Sequence, residues 1–134
     1  MTAAVLASLT TLVPAQGHDG LHFVMPWRWY HRLAACETSH ELHHSTRNYT
    51  GVYGLNRQTV NRWTGHTTTD GLDAYQQAHI VDQIAFLGST VNGEHVWPVG
   101  PWGFGSVRAN CQGLADLICE SHKPAVRYWR RHCK

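Results

Sequence analysis

The residues with the most suggestive chemistry lie in one segment, CETSHELHHST at positions 36–46. His40, Glu41 and His44 fit the H-E-x-x-H pattern of zinc peptidases, in which the histidines bind the metal and the glutamate is the base. Glu37 offers a different chemistry, because a single carboxylic acid can protonate the oxygen of a glycosidic bond. The zinc hypothesis needs a rigid helix, whereas the serines and threonines on both sides of the motif favour a loop.

A helix over WRWYHRLAACET, beginning next to Pro26, is the element that would position the acid. Within it Tyr30, Leu33, Ala34 and Glu37 follow the i, i+3, i+4, i+7 spacing of one helical face. Glu37 is therefore expected on the apolar side, where burial favours the protonated form that a proton donor needs. If the helix frays at this end, Glu37 is simply exposed, and the pattern leaves both outcomes open.

Glycoside cleavage also needs a cleft for sugar rings, and either a second carboxylate or a substitute for one. The tyrosines and tryptophans of the chain are candidates for the walls of such a cleft. Glu41 lies one turn from Glu37 on the same side, so it is poorly placed to act across a cleft. Asp70 and Asp73 are other acids, but their spacing singles out neither.

The remaining segments predict a mostly helical chain with one short hairpin. RQTVNRW opens a second helix, and LDAYQQAHIVDQIAFLG predicts a core helix closed by Gly88. Gly51 and Gly54, beside Tyr49 and Tyr53, predict a turn or short hairpin lined by aromatic residues. VWPVGPWGFGS is an aromatic loop whose tryptophans either stack on sugars or cover the core. CQGLADLICES and PAVRYWRRHC predict two short helical pieces in the tail.

Composition indicates one compact domain. The chain has 134 residues and is 43% hydrophobic, which suffices for a core and argues against a disordered chain. A formal net charge of +2 implies no strong field for nucleic acid. After Glu120 there are Lys and Arg residues but no acid, which indicates either contact with an anionic surface or a solvated helix face.

The four cysteines contain no C-x-x-C pair, so a cysteine zinc site is not expected. An even number of cysteines in a small chain suits disulfides and an oxidising compartment. We favour Cys36 with Cys111 and Cys119 with Cys133; three connectivities exist, and free buried thiols are the alternative. The start, MTAAVLASLTTLVPAQG, is too short and polar to span a membrane, and it lacks the basic residue of a typical signal peptide.

Three blocks in order, WYHRLAACET, YTGVYGLNRQTV and YQQAHIVDQI, resemble the transglycosylase-like domain of resuscitation-promoting factors. The similarity covers about residues 27–102 and is greater to versions found among actinobacteriophage proteins. It implies a lysozyme-like α+β fold and cleavage of the peptidoglycan glycan strand between N-acetylmuramic acid and N-acetylglucosamine. No cofactor, nucleic acid or transmembrane segment is implied, and the location would be extracellular, at the cell wall or in a virion.

The resemblance also implies site residues. Glu37 matches the sole catalytic acid of the family, Thr59 the threonine of a T-W pair and Gly51 the first of two glycines. In lytic transglycosylases this acid protonates the leaving oxygen and then acts as base while the muramic 6-hydroxyl attacks, which removes the need for a second carboxylate. The residues predicted to bind substrate are Tyr49, Thr50, Tyr53, Thr59, Trp63, Trp97 and Trp102.

Several positions depart from the family pattern. Val52 replaces the second glycine, Val60 replaces the tryptophan of the T-W pair, and Gly100 replaces a late cysteine. These changes motivate an alternative, a structural or wall-binding virion protein that keeps the fold but has weakened activity. The expected organisation is an extension at 1–25, the transglycosylase-like domain at 26–110 and a basic helical tail at 111–134, which would contact other virion or cell-wall proteins.

Overall fold

The computed structural model describes residues 22–121, 132 and 133. Over these residues the chain is mostly α-helical and compact, as the sequence predicts. The elements in chain order are α1 (Trp27–Thr38), β1 (Tyr49–Thr50), β2 (Leu55–Asn56), α2 (Arg57–Thr64), α3 (Ala74–Asp82), β3 (Ser89–Val91), β4 (Glu94–Val96), α4 (Gly105–Arg108) and α5 (Leu114–Ser121). Short 3-10 turns at Pro101–Gly103 and Cys111–Gly113 flank α4.

Helix α1 confirms the prediction that placed it directly after Pro26. It ends where Ser39 adopts a left-handed conformation (φ 55°) and its N–H bonds back to the carbonyls of Ala34 and Ala35. The predicted apolar residues Tyr30, Leu33 and Ala34 are buried. Glu37, at the end of this face, is therefore held in the last turn of a helix that packs on the core and ends at Ser39.

The hairpin predicted around Gly51 is present as β1 and β2, which pair antiparallel. Its loop is fixed to the start of α3, because the side-chain amide of Gln77 accepts a hydrogen bond from the Val52 N–H at 2.7 Å. Gly51 has φ +84°, and a Cβ there would lie 2.3 Å from Gln77 Oε1 and 2.5 Å from Thr69 Oγ1. Only glycine fits this contact without movement of its neighbours.

Helices α2 and α3 both begin at side-chain caps. Asn56 accepts hydrogen bonds from the backbone N–H groups of Gln58 and Thr59, and Asp73 forms a capping box with Gln76. The prediction of one regular helix up to Gly88 is wrong in its second half. The α-helix ends at Asp82, and Gln83–Leu87 form a π-helical turn that Gly88 closes through its N–H to the Gln83 carbonyl at 2.8 Å.

One hydrophobic core joins residues from both ends of the described chain. Met25 and Leu114 lie in the same cluster as the buried face of α1, and Trp29 Nε1 donates to the Leu114 carbonyl at 3.1 Å. The core therefore includes residues on both sides of positions 25 and 111, the boundaries that the sequence analysis places around the transglycosylase-like domain. Those boundaries stay a prediction.

A buried acid lies within this core. Asp82 is fully buried and accepts hydrogen bonds from the Tyr30 hydroxyl and from the Val24 N–H. Burial raises the pKa of Asp82 to about 7, although both hydrogen bonds act in the opposite direction. The same environment raises the pKa of Tyr30, so its phenol keeps its proton and remains a donor.

All four cysteines form disulfides with the predicted pairing. Cys36 bonds to Cys111 and Cys119 to Cys133, with Cα–Cα distances of 6.3 Å and 5.5 Å. Across the described part of the chain, no helix has the length and apolar character needed to cross a membrane. The opening segment MTAAVLASLTTLVPAQG and most of the predicted tail helix PAVRYWRRHC lie outside the described residues.

Candidate active site

Glu37 lies in the last turn of α1, half-buried, and contributes to the wall of a cavity of about 390 Å³. The cavity lies between the end of α1, the β1–β2 hairpin, α2 and the loop that leads into α4. Its other walls are formed by Tyr49, Tyr53, Gly54, Leu55, Asn56, Thr59, Trp63, Ile84, Val99, Gly103, Phe104 and Gly105. Glu37 is the one carboxylate among these lining residues.

The carboxyl group of Glu37 is held from the opposite side of the site. Ser106 Oγ donates to Glu37 Oε2 at 2.5 Å. Ser106 belongs to the short helix α4, whose Val107 is fully buried. Arg108 Nη1 donates to the carbonyls of Trp102 and Gly103, at 2.8 and 3.1 Å, which connects α4 to the turn before it.

A covalent bond fixes the same two elements relative to each other. Cys36 precedes Glu37, and its partner Cys111 follows α4 by three residues. The disulfide therefore joins the end of α1 to the segment that carries Ser106. The disulfide thus holds the backbone segments of Ser106 and Glu37 close together, which favours the hydrogen bond between their side chains.

The other oxygen of Glu37 faces the hairpin. A Cβ at Gly54, where φ is +55°, would lie 3.7 Å from Glu37 Oε1. Thr38, the next residue of α1, donates through Oγ1 to the Val52 carbonyl at 2.6 Å. The hairpin loop is therefore held against the end of α1, and the absence of a side chain at position 54 leaves space next to Oε1.

Four aromatic side chains contribute to the cavity walls. Tyr53 and Trp63 are buried, whereas Tyr49 is 46% exposed at the edge. Burial raises the pKa of Tyr53, so its phenol stays protonated. Walls of this kind, with a few polar groups such as Thr59, are typical of sites that bind sugar rings or other small molecules.

Of the seven predicted substrate-binding residues, the cavity brings together four: Tyr49, Tyr53, Thr59 and Trp63. Thr50 is fully buried, and its hydroxyl instead bonds to Thr69 Oγ1 at 3.0 Å. Trp97 is 70% exposed and packs edge-on against His95, while Trp102 stacks on His132 with ring centroids 4.2 Å apart. Neither tryptophan lines the cavity.

The residues of the zinc hypothesis are arranged differently from a zinc-peptidase helix. Residues 40–44 form turns, and His40 has a left-handed backbone with φ 67°. The His40 ring packs on His31, whereas His44 Nδ1 lies 3.2 Å from Glu41 Oε1. Within residues 22–121, 132 and 133, no three His, Cys, Asp or Glu side chains are grouped so that they could hold a metal ion.

Sequence reasoning missed Ser106, Asn56 and Phe104. Ser106 lies 69 residues from Glu37, and no local pattern signals a contact across that separation. Asn56 carried a readable signal, because asparagine directly before a helix start is a typical N-cap. Of the aspartates considered as a second acid, Asp73 caps α3 and Asp70 is exposed, and neither lines the cavity.

No family model, curated protein or solved structure matches the chain. What the protein does must therefore be inferred from the cavity at Glu37 and from the motifs around it.

Proposed function

We propose that the protein cleaves the glycan strand of peptidoglycan, with Glu37 as its general acid and base. The observation that carries this proposal is that one carboxylate, half-buried and held by Ser106, lies in the wall of an aromatic cavity. A retaining or inverting hydrolase of the usual kind needs two carboxylates across the scissile bond. A single acid instead suits a reaction in which the same group acts twice.

The reaction would proceed in two proton transfers at Glu37. The protonated carboxyl first donates its proton to the glycosidic oxygen while the bond from the sugar anomeric carbon to that oxygen breaks. The resulting carboxylate then takes a proton from the attacking hydroxyl as the new bond to the anomeric carbon forms. If the attacker is the muramic 6-hydroxyl the product is an anhydro sugar, and if it is water the product has a reducing end.

The two oxygens of Glu37 have different surroundings, which supports different roles for them. Oε2 accepts the hydrogen bond from Ser106 and is thereby held in place. Oε1 lies beside Gly54, where no side chain fills the space. We therefore assign Oε1 as the oxygen that exchanges the proton with substrate, while Ser106 fixes its direction.

Substrate would lie along the aromatic walls. The exposed Tyr49 at the edge offers a flat apolar surface for a sugar ring, and the buried Trp63 lines the same cavity. Thr59, which the resemblance also assigns to the substrate site, lines the same cavity. Trp97, exposed and outside the cavity, stays a predicted platform for a more distant sugar.

The sequence resemblance narrows the substrate class and the setting. It supports a lysozyme-like arrangement in which the hairpin lines the substrate cleft, and it supports muramic acid-containing glycans rather than other polysaccharides. The two disulfides suit an oxidising location such as the cell wall or a virion. The basic tail residues, which lie outside the described residues, would contact wall or virion partners.

A second candidate is a wall-binding protein of the same fold with little turnover. The departures from the family pattern at Val52 and Val60 favour it, because both side chains are buried and neither lines the cavity at Glu37. In that case the aromatic cavity would retain glycan while Glu37 contributes to binding.

The identity of the bond that is cut decides between these candidates. Purified protein is incubated with actinobacterial peptidoglycan, and the soluble fragments are analysed by mass spectrometry. Fragments with anhydro-muramic or reducing ends support glycan cleavage. Retained binding without fragments supports the wall-binding candidate, and peptide fragments lost on addition of a chelator or in His40→Ala would contradict both.

A further inference from the structure

A second and larger cavity, of about 560 Å³, lies on the other side of the hairpin loop. Tyr53 lines both cavities, whereas Glu37 lines only the first. The hydrogen bond from Thr38 to the Val52 carbonyl holds the loop against α1, so the loop and the end of α1 separate the two spaces. The second cavity is thus a distinct space, and its volume lies in the range of small-molecule sites.

The walls of this cavity are mainly apolar. Trp27 and Ala34 of α1 face Leu72, Ala74 and Tyr75 at the start of α3. The Trp27 and Tyr75 rings pack on each other with centroids 4.7 Å apart, which makes one wall a continuous aromatic surface. These walls suit a ligand with an apolar, flat body.

Histidines form the rim. His31, His40 and His43 line the cavity and are exposed to solvent, and the rings of His31 and His40 lie 4.2 Å apart. The other titratable groups that line it are Asp73, Tyr53 and Tyr75. Asp73 uses Oδ1 to cap α3, accepting from the Gln76 N–H at 2.8 Å, and burial raises the pKa of both tyrosines.

The two adjacent imidazoles favour an anion beside them, at the rim of the cavity. Partial burial of its ring and the neighbouring His31 lower the pKa of His40, so His40 gains its charge at a lower pH than an ordinary histidine. An anion that accepts hydrogen bonds from both rings would offset their mutual repulsion. A carboxylate suits an apolar cavity better than a phosphate, because a singly charged group costs less to remove from water.

We propose that this cavity is a binding site for a small aromatic carboxylate, with its ring against Trp27 and Tyr75 and its carboxylate at the rim, accepting hydrogen bonds from His31 and His40. Glu37 does not line this cavity, so ligand binding here can be measured separately from glycan cleavage.

The test uses the full chain and two probes of nearly equal shape, 2-naphthoate and its neutral amide, titrated by calorimetry at about pH 5.5 and about pH 8. We expect 2-naphthoate to bind about tenfold more tightly at the lower pH, as one charge-assisted hydrogen bond would provide, and the amide to bind equally at both. His31→Ala and His40→Ala should each weaken the acid about tenfold and leave the amide unchanged. His66→Ala, at an exposed histidine outside the cavity, is the matched control and should change neither.

Ala74→Phe fills the cavity and should abolish binding of both probes, with circular dichroism used to show that the variant is folded. Glu37→Gln should bind both probes like the wild type, which keeps this result separate from the outcome for glycan cleavage. The proposal is overturned if neither probe binds, if the acid and the amide bind alike at both pH values, or if the folded Ala74→Phe variant binds them as the wild type does.

Discussion

At the scale of single residues, the orientation of Glu37 depends on one hydroxyl contributed from far along the chain. Ser106 donates to Oε2 and leaves Oε1 beside Gly54. A carboxylate with one oxygen fixed has fewer orientations to lose when substrate binds. Under the proposed function we expect Ser106 to position Glu37, so that its loss affects turnover more than binding.

Ser106→Ala should lower kcat about tenfold with little change in KM, because one charge-assisted hydrogen bond is worth about 1.5 kcal/mol. Ser106→Thr keeps a hydroxyl and should recover most of the loss. Ser121→Ala is a control, since this serine bonds to the Ile118 carbonyl at the far end of α5. Steady-state kinetics on soluble glycan fragments measures all three, and a change confined to KM would contradict the positioning role.

Asp82 makes stability depend on pH in an unusual direction. Its pKa rises from the ordinary value of 3.8 to about 7 on folding, so the native state holds a proton that the unfolded state releases. Asp82 therefore contributes its full stabilisation to the free energy of unfolding below about pH 4, and this contribution is lost as the pH rises through about 7. A rise in the pKa from 3.8 to about 7 corresponds to at most roughly 4 kcal/mol of stability.

The comparison of wild type with Asp82→Asn isolates this group. The difference in unfolding free energy, wild type minus variant, should fall as the pH rises from about 4 to about 7 and stay level above that. His40 and His79, whose pKa values are lowered by burial, act in the opposite direction in both proteins and cancel in the difference. Urea titrations across this range provide the measurement, and a difference that does not vary with pH would show that Asp82 is ionised throughout.

At the scale of elements, the hairpin loop connects the site to the core. Gly51 lies against Gln77 and Thr69, and the Gln77 side chain in turn accepts the hydrogen bond from Val52. The same loop continues to Tyr53 and Gly54, which line the cavity at Glu37. The fit at Gly51 is therefore expected to control the position of one wall of the site.

Gly51→Ala should destabilise the protein by about 3 kcal/mol or more, because the added methyl group has no space. Gly71→Ala is a matched control: φ is +85° against +84° at Gly51, but nothing lies within 4 Å of a Cβ at position 71. The control should lose only about 1 kcal/mol from backbone strain. Equal losses in denaturant unfolding would mean that strain, and not the close contact, decides the effect.

The elements differ in how far the sequence predicts them. Helix α1, the hairpin and α2 follow from periodicity, Pro26 and paired glycines, which are local signals. The π-helical turn at Gln83–Leu87 and the β3–β4 hairpin were not predicted, since residues 83–87 continue a helical pattern and the strands are three residues each. Their form depends on contacts from elsewhere, such as the Val99 N–H bonded to the Ile84 carbonyl at 2.8 Å.

At the scale of the whole molecule, the Cys36–Cys111 disulfide joins the two halves of the site. The sequence predicts this pairing and the apolar face that carries Glu37. It does not predict which residue meets the carboxyl group, because the partner, Ser106, is brought close only when α4 packs against α1. Sequence reasoning therefore selected Glu37 and four other residues that line the same cavity, but not Ser106, which bonds to the Glu37 carboxyl group.

The two disulfides should differ in their contributions. The Cys36–Cys111 bond closes a separation of 75 residues and the Cys119–Cys133 bond one of 14. In a chain-entropy treatment these are worth about 4.5 and about 3 kcal/mol. Cys36→Ser/Cys111→Ser should therefore lower the denaturation midpoint more than Cys119→Ser/Cys133→Ser, and it should reduce turnover even under conditions where both variants remain folded. Equal turnover of the two folded variants would contradict a role of the first disulfide in the site.

The most direct measurement for the central claim is the rate at which wild type and Glu37→Gln release soluble fragments from purified peptidoglycan. Glu41→Gln is the matched control, because this acid lies four residues away, is largely exposed and does not line the cavity. A single general acid predicts a loss of about 10²- to 10⁴-fold in Glu37→Gln, with Glu41→Gln close to wild type. Release by Glu37→Gln at the wild-type rate would contradict the assignment of Glu37 as the catalytic acid.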